Sequence, residues 1–146
     1  MAPLPISIFV IAKNEADRLP RTLEAVRGLS DDLVVVDSGS TDRTCDIARE
    51  FGAEVYQAND ILSHLDQYKG KGENLWKALY LLRGDIIVYV DADIKNIHPR
   101  FVYGLLGPLI QDCRVHYVKA PCRHHVRHGR WFGLRGGNLR PGQPPG

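Results

Sequence analysis

Three features of the sequence predict an α/β fold built on a doubly wound, mainly parallel sheet. Short β-branched apolar runs (ISIFVIA, LVVV and DIIVYV) suit strands buried on both faces. Helical apolar patterns separate them at spacings that fit βαβ units with right-handed crossovers. A polar cluster follows each run directly: Asn14-Glu15, Asp37-Ser38 and Asp91-Ala92-Asp93. Ligands of such sheets bind beyond the carboxyl ends of the strands, so these clusters should converge on one edge.

The first strand is read over Ile6 to Ala12. A helix follows with Leu19, Leu23 and Val26 on one face, Pro20 in its first turn and Gly28 as its stop. Leu33 to Val36 is the second strand. Ser40 or Thr41 is expected to cap the next helix, whose face is Thr44, Ile47, Ala48 and Phe51 and which Gly52 closes. Ala53 to Tyr56 reads as a third strand, and a loop runs from Gln57 to Gly72. The next helix has Leu75, Trp76, Leu79 and Leu82 on its apolar face and stops at Gly84. Asp85 to Val90 is the fourth strand. Pro99 opens a helix with Phe101, Val102, Leu105 and Leu106, which Pro108 is expected to bend or end, and Val115 to Val118 is a fifth strand. There is no internal repeat.

A chain of 146 residues with 44% apolar content suits one domain and excludes a wholly disordered or collagen-like protein. No apolar run approaches the roughly 20 residues of a membrane span. The first apolar run has no basic region before it and no small-residue cleavage site after it, so it is not read as a signal peptide. Three scattered cysteines do not make a disulfide scaffold, and a reducing, cytoplasmic setting is expected. The net charge of +2 hides an asymmetry: residues 1–60 hold six basic and eleven acidic groups, and residues 113–146 hold seven basic and none acidic. The expected organisation is a folded domain over 1–120 and a basic Gly/Pro/Arg/His-rich tail over 121–146. That tail has no apolar period and is read first as a disordered terminus. A nucleic-acid or lipid-binding arm and a shifted reading frame are the other readings of it.

Asp91 and Asp93 place two hard carboxylates two residues apart at a strand end, which suits Mg²⁺ or Mn²⁺ with phosphates completing the shell. As an isolated match, D-x-D also describes a turn or a helix cap. Asp37 could accept from a base N–H or ribose hydroxyls, or could simply turn the chain. Lys71 lies between Gly70 and Gly72 ahead of a helix, a setting for a phosphate or for a flexible linker with solvated lysines. Glu15 could reach ribose or base, or serve as a first-turn glutamate. His98 reads as a helix-entry residue, Trp76 as core and Cys45 as a small buried residue. His124, His125 and His128 lack acidic or cysteine partners at ligand spacing.

Taken together, IAKNE, VVDSGSTD, GKGENLWKAL and VYVDADI, in this order, resemble the nucleotide-sugar-binding half of GT-A glycosyltransferases of family 2. The stretch from Tyr68 to Ile110 is similar to the glucosyl-3-phosphoglycerate synthases, retaining enzymes that move glucose from a nucleoside-diphosphate glucose to 3-phosphoglycerate. The resemblance implies a UDP- or GDP-glucose donor and a Mg²⁺ or Mn²⁺ cofactor. It puts Ile11, Ala12, Lys13 and Glu15 around base and ribose, and Ser38 on the nucleotide with Asp37 in the same motif. Gly70 and Lys71 approach the diphosphate. Asp91, Ala92 and Asp93 form the metal motif, with Asp93 as direct ligand. Beyond Ala120 the family's pattern is not matched, so no acceptor residue or catalytic base is assigned, and weak nucleotide binding with poor turnover is expected. Other family 2 acceptors, such as a lipid phosphate or a lipopolysaccharide core sugar, and a non-catalytic nucleotide-binding module are the alternatives. A homodimer is left open, and nucleic acid is not the expected partner.

Overall fold

The computed structural model describes residues 5–65, 71–120 and 131–135. In chain order the elements are β1 (Ile6–Ala12), α1 (Leu19–Val26), β2 (Asp32–Asp37), α2 (Thr44–Glu50), β3 (Glu54–Gln57) and α3 (Lys71–Ala78). They continue with β4 (Ile86–Asp91), α4 (Pro99–Gln111), β5 (Tyr117–Lys119) and β6 (Trp131–Arg135). One sheet takes all six strands in the order β3-β2-β1-β4-β6-β5. The first four strands are parallel, whereas β6 runs antiparallel to both β4 and β5.

The continuous apolar strands are explained by cover on both faces. On one face Ile8, Val10, Val35, Val88 and Val90 pack against Leu19 and Leu23 of α1, Ala48 of α2 and Leu105 and Leu109 of α4. On the other, Phe9, Val34, Val36, Ile87 and Tyr89 pack against Ala78 of α3 and against Ala58 and Ile61. Alternate residues of one strand therefore feed two cores. Gly28 and Gly52, at φ +74° and +81°, end α1 and α2 as expected. His98 enters α4, its Nδ1 accepting from the Arg100 N–H at 3.1 Å.

The structure departs from expectation in several places, the first being that α3 stops at Ala78, which leaves Leu79 and Leu82 in the segment before Gly84. Ser40 and Thr41 do not cap α2; Asp42 instead accepts from the Thr44 N–H at 3.0 Å and from its hydroxyl. Pro108 does not end α4, which runs on to Gln111. Burial of Leu105, Leu106 and Leu109 outweighs the lost N–H and the ring's crowding, a cost of about 3 kcal/mol in an exposed helix. Trp76 is 38% exposed, edge-on to Tyr80, because α3 turns Glu73, Lys77 and Ala78 inward. Within the tail, residues 131–135 form β6, so there the expected break at residue 120 does not hold. Pairing with β4 and β5 supplies what the local composition lacks.

At the amino end of the sheet a buried serine organises the turn before β4. The Ser7 hydroxyl donates to Asp32 and accepts from the backbone N–H groups of Gly84 at 2.7 Å and Arg83 at 3.2 Å. Burial pushes the Asp32 carboxyl up, but the Ser7 hydroxyl and the backbone and guanidinium of Arg83 more than offset it and hold it below its ordinary value of 3.8. A carboxylate lowered in the folded state stabilises the fold above the ordinary value, and that contribution is lost as pH falls through the folded one. Ser7→Ala is therefore expected to cost about 1–3 kcal/mol at neutral pH, since it strands the Gly84 N–H. It should also flatten the loss of stability with acid below pH about 4; denaturant melts of both proteins across that range check this. A cavity of about 880 Å³ lies at this end, lined in part by Ser30, Asp32, Arg83, Tyr103 and Ile110. It shares no residue with the carboxyl edge.

Candidate functional site

The carboxyl edge is level across three strands. Ala12 at the end of β1 pairs with Asp37 at the end of β2, and Ile11 pairs with Asp91 at the end of β4. The loops leaving β1 and β2 are laced together. Asn14 takes a left-handed conformation, φ 51°, which asparagine tolerates better than most residues. Its N–H donates to Ser40 Oγ and its Oδ1 accepts from the Thr41 N–H, each at 2.8 Å. The Glu15 N–H donates to Thr44 Oγ1 at 2.9 Å, and the Ala16 N–H to Asp42 at 3.2 Å. The serine, threonine and aspartate of the GSTD run thus hold the first loop.

Asp37 is bound up in its own turn. It is 0% exposed, and its carboxylate accepts from the N–H groups of Gly39 at 3.1 Å and Ser40 at 2.9 Å and from the Ser40 hydroxyl. Burial pushes this carboxyl up, yet these bonds and one from Gln57 lower it overall, so it is a carboxylate committed to its own turn. What the turn presents is Ser38, half-buried, its N–H bonded to Ala12 at 2.9 Å and its Oγ accepting from Asn74 Nδ2 at 2.8 Å. Asn74 carries the edge of α3 to the end of β2. The sequence offered no local sign of it, because its partner lies 36 residues away.

The two aspartates after β4 are not equivalent. Asp91 is the last strand residue, 2% exposed, and receives the Tyr89 hydroxyl; Tyr89 in turn packs its ring 5.0 Å from that of Phe9. Asp93 lies beyond the strand in a turn and is half-buried, so the two-residue alternation of extended backbone does not carry over to it. Ala92 is buried, and its carbonyl accepts from Thr22 of α1 at 3.2 Å. Glu15 stands near Asp93: burial first, then the charges of Asp93, Asp42 and Asp17, raise its carboxyl above the ordinary value against the lowering by Arg18. That excess of negative potential suits a cation. Among the described residues no three His, Cys, Asp or Glu side chains form a metal cage. A single open carboxylate does fit Mg²⁺ or Mn²⁺, which bind through one or two carboxylates with substrate phosphates and water. Asp93 fits that part, and Asp91, turned inward, fits it less well.

Of the residues singled out in the sequence, Ile11, Ala12, Glu15, Asp37, Ser38, Asp91, Ala92 and Asp93 stand on this one edge, and Lys13 is exposed in the loop beside it. Lys71 is the first residue of α3, and Gly70 and the tail histidines lie outside the described residues. No helix among the described residues is long and apolar enough to cross a membrane.

Comparison with known proteins supplies the family. The chain is 60% identical over 92 residues to the glucosyl-3-phosphoglycerate synthase of Petrotoga mobilis, covering 63% of the chain and 28% of that protein. It is 41% identical over 128 residues to that of Mycolicibacterium paratuberculosis, covering 85% and 39%. A crystal structure of the Mycobacterium tuberculosis enzyme in complex with Mn²⁺, UDP and glucosyl-3-phosphoglycerate superposes with a TM-score of 0.79 at 32% identity, over 92% of this chain and 58% of that one. The chain therefore spans less than two thirds of these relatives. The family model for glycosyl transferase family 2 matches residues 7–136, which takes in both the three polar strand ends and β6. With the parallel strands, the laced loops and the aspartate pair in the places that model spans, the chain belongs to glycosyl transferase family 2.

Proposed function

We propose that this chain binds the nucleoside-diphosphate glucose of a glucosyl-3-phosphoglycerate synthase, with UDP-glucose as donor and Mn²⁺ or Mg²⁺ as cofactor. The observation that carries the reading is the level edge that joins Ile11, Ala12, Ser38 and Asp93. Solved relatives at 32% identity are complexes with UDP-glucose, phosphoglyceric acid and Mn²⁺, or with UDP and Mg²⁺.

In this reading Ile11, Ala12 and Lys13 flank the base and ribose, with Glu15 beside them. Ser38 offers its hydroxyl to the nucleotide, and Asp37 holds Ser38 in place. Gly70 and Lys71 are assigned to the diphosphate, and the N–H groups opening α3 favour an anion there. Asp93 would hold the cation, with Asp91 behind it fixing the strand end through Tyr89. The cation, when bound, offsets the charge that develops on the departing diphosphate. Glucose would pass to 3-phosphoglycerate with retention of configuration. These soluble phosphorylated substrates fit a cytoplasmic enzyme.

Titration of the chain with UDP-glucose, in Mn²⁺ and then in chelator, tests the donor reading. Saturable binding that weakens on chelation is expected. No binding in either condition overturns it. Glucosyl transfer to 3-phosphoglycerate, assayed beside a lipid-phosphate acceptor, tests the acceptor class.

A further inference from the structure

Glu73 and Lys77 are charged groups inside the fold. Lys77 Nζ lies 2.5 Å from Glu73 Oε1, and the two side chains are 1% and 6% exposed. The second oxygen, Oε2, is buried with no hydrogen-bond partner among the described residues. Taking two charges out of water is costly, and an apolar pair of similar volume commonly stabilises a fold at least as well. A pair kept here therefore points to a task other than stability.

Its position supplies the task. The helix α3 has eight residues, too few to hold its own first turn in isolation, and Gly72 within that turn weakens it further. Two consecutive residues of the turn are fastened from different sides. Glu73 is tied to Lys77 one turn on, in the favoured order with glutamate first. Asn74 is tied to Ser38 at the end of β2. Lys71 begins the same turn, so its backbone placement relative to Ser38 depends on both contacts.

We propose that Glu73 is a positioning residue for the donor's diphosphate, acting through the first turn of α3 and so through Lys71. The proposal rests on the donor reading of the edge. It separates two parts of the nucleotide: base and ribose lie at the ends of β1 and β2, and the diphosphate lies toward α3. Loss of Glu73's charge should loosen the second without the first.

Equilibrium binding of UDP and of uridine to the full chain in Mn²⁺ tests this, with thermal melts run in parallel. In Glu73→Gln, UDP binding is expected to weaken about tenfold while uridine changes by less than about twofold. Glu73→Asp keeps the charge one methylene short and should show the same selective loss in smaller measure; it serves where the glutamine variant does not fold. A purely structural role would lower the melting temperature and weaken both ligands alike. Unchanged selectivity of UDP over uridine in a folded variant overturns the positioning role alone. An unaltered chain that binds neither ligand overturns the donor reading and this inference with it.

Discussion

Asp93→Ala is expected to bind UDP equally well in Mn²⁺ and in chelator, whereas the unaltered chain should lose about a hundredfold in affinity on chelation. The argument is geometric. Asp93 is the accessible one of the two aspartates after β4; Asp91 is buried and engaged by Tyr89. The neighbouring Glu15, its carboxyl raised first by burial and then by the charges of Asp93, Asp42 and Asp17, marks a local surplus of negative charge. A bound cation relieves that surplus and in turn attracts the anionic diphosphate, so the metal and the nucleotide should bind cooperatively. Calorimetric titration of UDP at fixed Mn²⁺ measures the coupling. If Asp93→Ala keeps the metal dependence, the cation is held elsewhere. Asp91→Asn should act differently, lowering the melting temperature because it disturbs the pairing with the Tyr89 hydroxyl.

The second large effect lies at the opposite end of the sheet. Gly84→Ala is expected to cost about 2–4 kcal/mol and to lower the melting temperature by roughly 10 °C. A Cβ at this position would stand 2.5 Å from the Ser7 nitrogen, 2.7 Å from the Pro5 oxygen and 2.8 Å from the Ile6 carbonyl carbon. All three atoms are backbone, so no side chain can swing aside. The turn would have to lift from β1, taking the Gly84–Ser7 hydrogen bond and the start of β4 with it. Gly133→Ala makes a useful contrast. Its Cβ would meet Leu109 Cδ1 at 2.7 Å, the end of a side chain that can turn. A smaller loss is expected there, and thermal melts of the two variants check the order.

The parts of the fold legible in the sequence are those where one residue type answers to one environment. The runs that became β1, β2 and β4 read as strands because cover on both faces demands unbroken apolar side chains. The three polar clusters read as one edge because a parallel sheet puts all its carboxyl ends together. Interactions between distant segments left no local trace. Asn74 has no pattern that points to Ser38, and nothing local marks Glu73 and Lys77 as a pair that the packing of α3 buries. The bonds of Asp37 are legible only in part: its place at a strand end shows in the sequence, whereas the donors that Gly39 and Ser40 bring to its carboxylate show only in the fold. β6 was hidden by composition. Trp131 and Phe132 suit a strand, but the run is only five residues long with Gly133 at its centre, and it stands in a basic stretch without an alternating pattern; pairing with β4 and β5 makes it a strand.

The position of β6 has a consequence for how the chain assembles. β5 joins the sheet through β6 alone, although β5 precedes it in the chain. The order in which a ribosome releases these segments is therefore the reverse of the order in which they can dock. Until residue 135 has emerged, β4 carries a bare outer margin and β5 lacks the strand it pairs with. A nascent chain paused in that interval offers an unfilled slot along β4, open to strand invasion from another molecule.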